Sequence, residues 1–478
     1  MSNNKTITYF EQMNQIPRGS GNEKAVSDWL VSFAKERNLD VQQDEALNVI
    51  IKKPATPGYE DRPAIILQGH MDMVCEKSDA STHDFTKDPI EHIINGDWLH
   101  ANETTLGADN GIAVAMSLAI LDDPTVVHGP MTCLFTTSEE TGMDGALAIK
   151  EGQIEGKYLL NIDTEEEGEF VVSCAGGCRV TVEIPRLRDN VDTRFNHALT
   201  LTINGFLGGH SGIEIKKERA NGNQILGRLL YELAGQYNFQ LANFEGGTKH
   251  NAIPRVGSAT ILVNEADVTP VTNWIHSKIK AYRHEYTPQD ENIDILISDG
   301  TMPDTVYGGD TAESLLTFLY LAPNGVFAMN HALTGLVETS NNIAIIKETE
   351  HTINISVSIR SMSASSMDFL VRKFQLLAST LGLPIKVDGS YPAWEYEAGS
   401  ALEEQSVAIY EQVTGQKPLV TAIHAGLECG LLKAVMPNTE MISFGPTITH
   451  AHTPQERVSL SSVDRIYTYL VALLKDLK

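Results

Sequence analysis

Several apolar runs in this chain each end in acids or in histidine, and this feature constrains the fold most. "AIILQGHMD" closes on His70 and Asp72, "GPMTCLFTTSEE" on Glu139 and Glu140, and "YLLNIDTEEEGE" passes through Asp163. Short apolar runs bounded by turn formers read as strands. Between them, "DNGIAVAMSLAIL" reads as a buried helix whose first residues, Asp109 and Asn110, are good N-cap types. Residues 23–37, "EKAVSDWLVSFAKER", space their apolar side chains for another helix. Strands alternating with helices point to an α/β layer architecture. In open sheets of that kind, ligand sites gather outside the carboxyl ends of the strands. His70 and Asp72 stand two residues apart, so an extended segment turns them to the same side. A charge buried there is costly unless it is paired or holds a metal.

The texture changes near residue 180. "GCRVTVEIP", a polar run and "HALTLTINGFLGGHSG" lead into an amphipathic helix at 219–236 and another around 270–285. "NNIAIIKETEHTINISVSIR" followed by "SSMDFLVRKFQLLASTLG" repeats the order strand, strand, helix of residues 251–285, which suggests an internal duplication. Near 390 the first texture returns, with "SALEEQSVAIYEQVTG", "PLVTAIHAG", "MISFGPTI" and a closing amphipathic helix. The expected fold class is α/β. A discontinuous α/β domain, residues 1–182 and 390–478, would hold a central mixed sheet flanked by helices. An inserted α+β domain, residues 183–389, would be built of two ferredoxin-like halves. Insertion at a surface loop is a tolerated way to join domains.

Charge narrows the partners. With 62 Asp and Glu against 36 Lys and Arg, the formal charge is −26. That argues against nucleic acid or an anionic membrane as a partner. No apolar run approaches the ~18 residues that span a bilayer. The start, "MSNNKTITYFEQMNQIP", is polar and shows no signal peptide. Five cysteines (75, 133, 174, 178 and 429) form a sparse, odd set that suits a reducing cytoplasm. Cys174 and Cys178 match no common zinc spacing, and free thiols are expected.

Taken singly, the ionisable residues have ordinary readings. Asp109 is an N-cap, His452 a surface histidine, and Glu139–Glu140 and Glu165–Glu167 are solvated turns. Together they recur at apolar-to-acid transitions, and "GPTITHAHTP" adds His450 and His452 late in the chain. The chemistry this suggests is a two-metal hydrolase. Imidazole and carboxylate ligands suit zinc and also accept cobalt or manganese. Two metals about 3.5–4 Å apart need a bridging carboxylate and can share an attacking hydroxide. Adjacent acids such as Glu139 and Glu140 can divide the tasks of base and ligand. Asp72 is placed to accept the other imidazole N–H of His70.

"QGHMDMV", "TTLGADNGIAVA", "TTSEETGMDGA", "LNIDTEEEGE", "GGHSG" and "HAHTPQE", with "IPRGSGNE" near the start, resemble the co-catalytic zinc metallopeptidase family along essentially the whole chain. The resemblance implies that His70 and Asp163 hold one metal, Glu140 and His452 the other, and Asp109 bridges them before a cis peptide to Asn110. It makes Glu139 the general base and Asp72 the orienter of His70. His210 in "GGHSG" would stabilise the oxyanion. Asn251, Arg360 and Gly426 would contact substrate, Arg360 by a bidentate clamp on a free carboxylate. The insert reads as this family's lid, and its length leaves open whether His210 acts in its own chain or across a homodimer.

The implied activity is a dipeptidase of broad specificity that accepts Xaa-His substrates. Its cofactors would be two divalent ions, zinc first and cobalt or manganese as alternatives, and its partner a small peptide. An N-acyl amino acid amidase on the same scaffold and a metal-binding protein without turnover are the competing readings. His424 reads as structural, His450 as unused, and His83, His92, His100 and His128 as loop residues. No phosphate or dinucleotide fingerprint is present.

Overall fold

The computed structural model describes residues 5–478, which divide into two units, each with its own apolar core. The first unit holds the described residues up to Cys174, Tyr396–Ala422 and Leu427–Lys478. Its eight-stranded sheet runs, in spatial order, Asp40–Gln43, Val49–Lys53, Met131–Thr136, Ile65–His70, Tyr158–Asn161, Glu440–Ser443, Glu169–Cys174 and Leu419–Ile423. The sheet is mixed. Met131–Thr136, Ile65–His70, Tyr158–Asn161 and Glu440–Ser443 are parallel neighbours, while the strands flanking this group pair antiparallel to it.

The parallel group is buried on both faces, which is why its sequences are continuous apolar runs. Helix Ala108–Asp122 is buried almost all round, as its unbroken Ile-Ala-Val-Met-Leu composition demands. Phe10, Leu67, Leu118, Phe135, Leu160 and Tyr469 join one core. Register puts His70 opposite Thr136, Gln68 opposite Asn161, and Ser443 opposite Asn161. The carboxyl ends of these strands therefore open onto one place. A small sheet of Ile448–Thr449, Arg457–Ser459, Trp98–Ala101 and His92–Asn95 braces the hairpin whose loop carries His452.

The second unit is Ala175–Glu395 with Ile423–Gly426. Its antiparallel sheet is ordered Asp294–Asp299, His197–Asn204, Gly257–Val263, Gln240–Gly246, Val337–Glu348, Thr352–Ser361, Gly176–Pro185 and Ile385–Tyr391, with Gly325–Met329 paired to Val337–Glu348. The succession helix, three strands, helix occurs twice. One copy uses helices Gly222–Ala234 and Val268–Tyr286, the other Gly309–Leu321 and Ala364–Thr380. The copies meet at a single registered pair, Gly246 with Ile346. Thr352–Ser361 alternates buried and half-buried residues, the mark of a sheet with one covered face.

Among the described residues no disulfide forms, and no helix is long and apolar enough to cross a membrane. Strand Glu169–Cys174 and helices Lys5–Met13, Gly309–Leu321 and Glu428–Val435 were not legible as elements in the sequence. Their apolar patterns are short or broken by glycine and polar residues.

Candidate active site

The carboxyl ends of the parallel strands bring His70, Asp72, Asp109, Glu139, Glu140, Asp163 and His452 into one cluster. The two carboxylate oxygens of Asp109 face two different histidines. Oδ1 lies 3.2 Å from His70 Nε2, and Oδ2 lies 3.0 Å from His452 Nε2. Asp163 Oδ1 is 3.6 Å from His70 Nε2, and Glu140 Oε2 is 3.0 Å from His452 Nε2. Each imidazole thus has one carboxylate of its own and shares Asp109 with the other.

His70 is 1% exposed at the side chain and His452 51%, so the cluster reaches from the sheet edge to the surface. The Asp109–Asn110 peptide bond is cis. Asp109 does not cap the helix, contrary to the simple reading of its residue type. Its backbone and that of Asn110 are non-helical, and Gly107 stands at the cap in a left-handed conformation, φ +70°. The backbone N–H groups are taken instead by the Glu456 carboxylate, which leaves the Asp109 side chain to the cluster.

The ligand-type residues present a mismatch that a cation would resolve. Ligand atoms of His70, Asp109 and Glu140 lie within 4.8 Å of one another. Glu140 Oε1 and Asp163 Oδ1 are buried oxygens with no hydrogen-bond donor. Burial raises the Asp163 carboxyl far above the usual carboxylate range, opposed by His70 and reinforced by Asp109 and Glu139. Burial also pushes Glu139 up to about 8, with His70 opposing it and Glu428, Glu140 and Asp109 adding to it. Hydrogen bonds donated to the Asp109 and Glu140 carboxylates push His452 up to about 11. So much negative charge crowded beside imidazoles is costly to bury unless it holds a cation. The donor set fits divalent zinc, cobalt or manganese.

Asp72, fully buried, organises the cluster from behind. It accepts Ser20 Oγ–H at 2.7 Å and the N–H groups of Glu139 at 3.1 Å and Glu140 at 3.3 Å, and its Oδ1 is 3.3 Å from His70 Nδ1. One carboxylate therefore holds an imidazole and the backbone of both adjacent acids. Ser138, just before Glu139, is left-handed at φ +54°, and Glu23 accepts its N–H and hydroxyl. Gly69 is required by close approach, since a Cβ there would lie 2.4 Å from Asn110 Oδ1.

Four buried charged residues around the cluster escaped the sequence reading: Arg18 and Glu23 in "IPRGSGNE", Glu456 in "HAHTPQE", and Glu428. Their only sequence signal is a charge amid apolar and glycine residues. Glu428 Oε2 accepts from Gln68 Nε2 at 2.6 Å and Thr136 Oγ1 at 2.7 Å, tying together two of the strands that carry the cluster.

His210, Asn251, Arg360 and Gly426 lie in the second unit. His210 Nδ1 accepts the N–H groups of Gly212 and Ile213, at 3.2 and 3.1 Å. That tautomer leaves Nε2 carrying the proton. Burial and the Arg360 charge hold His210 below its ordinary value. Arg360 Nη1 donates to Tyr391 Oη at 2.9 Å, and its buried Nε has no hydrogen-bond partner. Asn251 is exposed at the side chain and accepts Ser211 N–H through its carbonyl, and Gly426 is half-buried. His424 is buried against Ser340 at 2.7 Å, and burial with the Arg360 and His210 charges lowers it to about 3, as suits a structural histidine.

A profile of peptidase family M20/M25/M40 matches residues 66–476. The cytosol non-specific dipeptidase of Escherichia coli is 37% identical over 468 residues, covering 98% of this chain and 96% of that protein. The crystal structure of aminoacylhistidine dipeptidase from Vibrio alginolyticus superposes with a TM-score of 0.94 at 36% identity, covering 100% of this chain and 97% of that one. An aminopeptidase PepT from Bacillus cereus shares the fold at a TM-score of 0.57 and 14% identity, with 99% of this chain and 98% of that one covered. The chain therefore belongs to peptidase family M20/M25/M40.

Proposed function

We propose that this chain is a metal-dependent dipeptidase that hydrolyses the peptide bond of dipeptides, Xaa-His substrates included, and acts in the cytoplasm. One observation carries the reading: the two oxygens of Asp109 face two imidazoles, each with its own second carboxylate. In this reading His70 and Asp163 would hold one divalent cation and Glu140 and His452 the other, with Asp109 available to both. The names and near-complete coverage of the Escherichia coli and Vibrio relatives support peptide substrates of two residues.

When bound, the two cations supply Lewis acidity for the scissile carbonyl and acidify water. Glu139 takes the proton from the attacking water and passes it to the leaving amine. Asp72 keeps His70 and the Glu139 backbone in place through the cycle. From the second unit, His210 donates Nε2–H to the developing oxyanion. Arg360, already oriented by Tyr391, binds the substrate carboxylate, and Asn251 and Gly426 complete the substrate contacts.

The test is metal analysis of the purified protein joined to hydrolysis assays on dipeptides, Xaa-His dipeptides, tripeptides and N-acetyl amino acids, with and without chelator. The expected result is bound divalent metal and chelator-sensitive cleavage confined to dipeptides. Turnover of N-acetyl amino acids alone would make the chain an amidase instead.

A further inference from the structure

Two buried charges of opposite sign meet at the turn that carries Asp109. Arg18 is 1% exposed and Glu456 2%. The Glu456 carboxylate accepts four successive N–H groups of that turn. Oε2 takes Leu106 at 2.7 Å and Gly107 at 2.9 Å, and Oε1 takes Ala108 at 2.7 Å and Asp109 at 3.3 Å. Arg18 takes the opposite polarity of the same turn, donating Nη2–H to Gly107 O at 2.6 Å. Its Nη1 donates to Met71 O and Asp72 O, both at 3.0 Å, at the end of the strand that carries His70. Asn14 Oδ1 holds the guanidinium from the remaining side, 2.9 Å from Nη2.

Glu456 follows His452 by four residues, and its own N–H closes the turn onto Thr453 O at 3.0 Å. Arg18 therefore links the His70 strand end to the Asp109 turn, and Glu456 links the Asp109 turn to the His452 loop. Gly107 is confined between them. A Cβ there would lie 2.4 Å from Arg18 Nη2 and 2.8 Å from Met73 Sδ, and its φ of +70° suits glycine.

Building on the dinuclear reading above, we propose that Arg18 and Glu456 are positioning residues that set the separation of His70, Asp109 and His452, and so the affinity and geometry of the two-cation site. Neither touches a cation or substrate. Bonds between charged groups and the backbone are about twice as strong as neutral ones, and their directions are fixed. Seven of them bear on three short segments, so the bridging carboxylate is held before any cation arrives. Loss of comparable supports behind metal ligands weakens binding by ~10–100-fold.

The experiment titrates metal-free full-length protein with Co²⁺, reading affinity by chelator competition and geometry from the visible d–d bands, for wild type, Glu456→Gln and Arg18→Lys. Glu440→Gln is the control. Glu440 accepts Ser400 Oγ–H at 2.6 Å and Leu402 N–H at 3.0 Å, a helix-capping role in the same unit. Melting of the four metal-free proteins is measured alongside. The expected result is two Co²⁺ per wild-type chain, at least tenfold weaker binding with altered d–d bands in Glu456→Gln and Arg18→Lys, and wild-type behaviour in Glu440→Gln. If one of the two variants does not fold, the other carries the same test. Wild type that takes up two Co²⁺ while both variants match it in affinity and bands overturns this proposal alone. Affinity that merely tracks melting across all variants, control included, also overturns it. Wild type that binds no Co²⁺ overturns the dinuclear reading, and this proposal with it.

Discussion

Replacing Glu428 by glutamine tests the electrostatics beneath the cluster. Glu428 is fully buried and bonded only through Oε2, while Oε1 has no partner. Burial raises its carboxyl from 4.5 to about 7, with His70 and its two hydrogen bonds opposing and Asp72 adding to the rise. The folded chain thus holds this proton more tightly than the unfolded chain. The resulting stability is complete below the unfolded value of 4.5, declines as pH rises, and is gone once pH has passed the folded value of about 7. At ~1.4 kcal/mol for each tenfold difference in proton affinity, one group costs about 2–3 kcal/mol between about pH 5 and about pH 8. Glutamine keeps the acceptor for Gln68 and Thr136 and cannot ionise. Groups beyond its reach cancel when one curve is subtracted from the other, leaving this carboxyl with Glu139 and Asp163, which feel its charge. The assay is unfolding of chelator-treated wild type and Glu428→Gln across that pH range. Wild type should lose stability more steeply by that amount, and the variant should be the more stable protein at the alkaline end. Parallel curves would refute the reasoning, because they would mean the buried carboxyl does not titrate in this interval.

Three further outcomes follow from the roles assigned above. Glu139→Gln should cut kcat by ~10²–10⁴-fold with metal content unchanged, checked by steady-state kinetics and elemental analysis. His452→Ala should lower both metal content and rate; full occupancy at normal rate would remove it from the ligand set. Arg360→Ala should lower kcat/KM by ~10–100-fold for dipeptides with a free carboxylate and leave their carboxamide analogues nearly unaffected, since a charge-assisted bond is worth about 1.5–3 kcal/mol.

The α/β texture of the first unit was readable because the parallel strands are buried on both faces and so carry unbroken apolar runs. The second unit was readable in its helices other than Gly309–Leu321 and in strand pairs such as Val337–Glu348 with Thr352–Ser361. Its edge was not: the strand Gly176–Pro185 contains the expected boundary at 182–183, since a continuous strand gives no local sign of changing unit. The N-cap reading of Asp109 failed for a related reason. Residue type states what a side chain can do locally, and Glu456, 347 positions away, had already satisfied the Asp109 N–H.

By itself, the sequence determined where apolar runs stop, which ionisable residues stand at those stops, and how the motifs are ordered. These are local properties, set by the side-chain periods of strand and helix and by the cost of burying charge. Only the tertiary structure decided which partners meet. Asp109 faces His70, 39 residues away, with one oxygen and His452, 343 residues away, with the other. Glu428 lies 360 residues from Gln68. Such pairings follow from strand order and register, and from the requirement that buried backbone groups find partners, and no window of neighbouring residues encodes them.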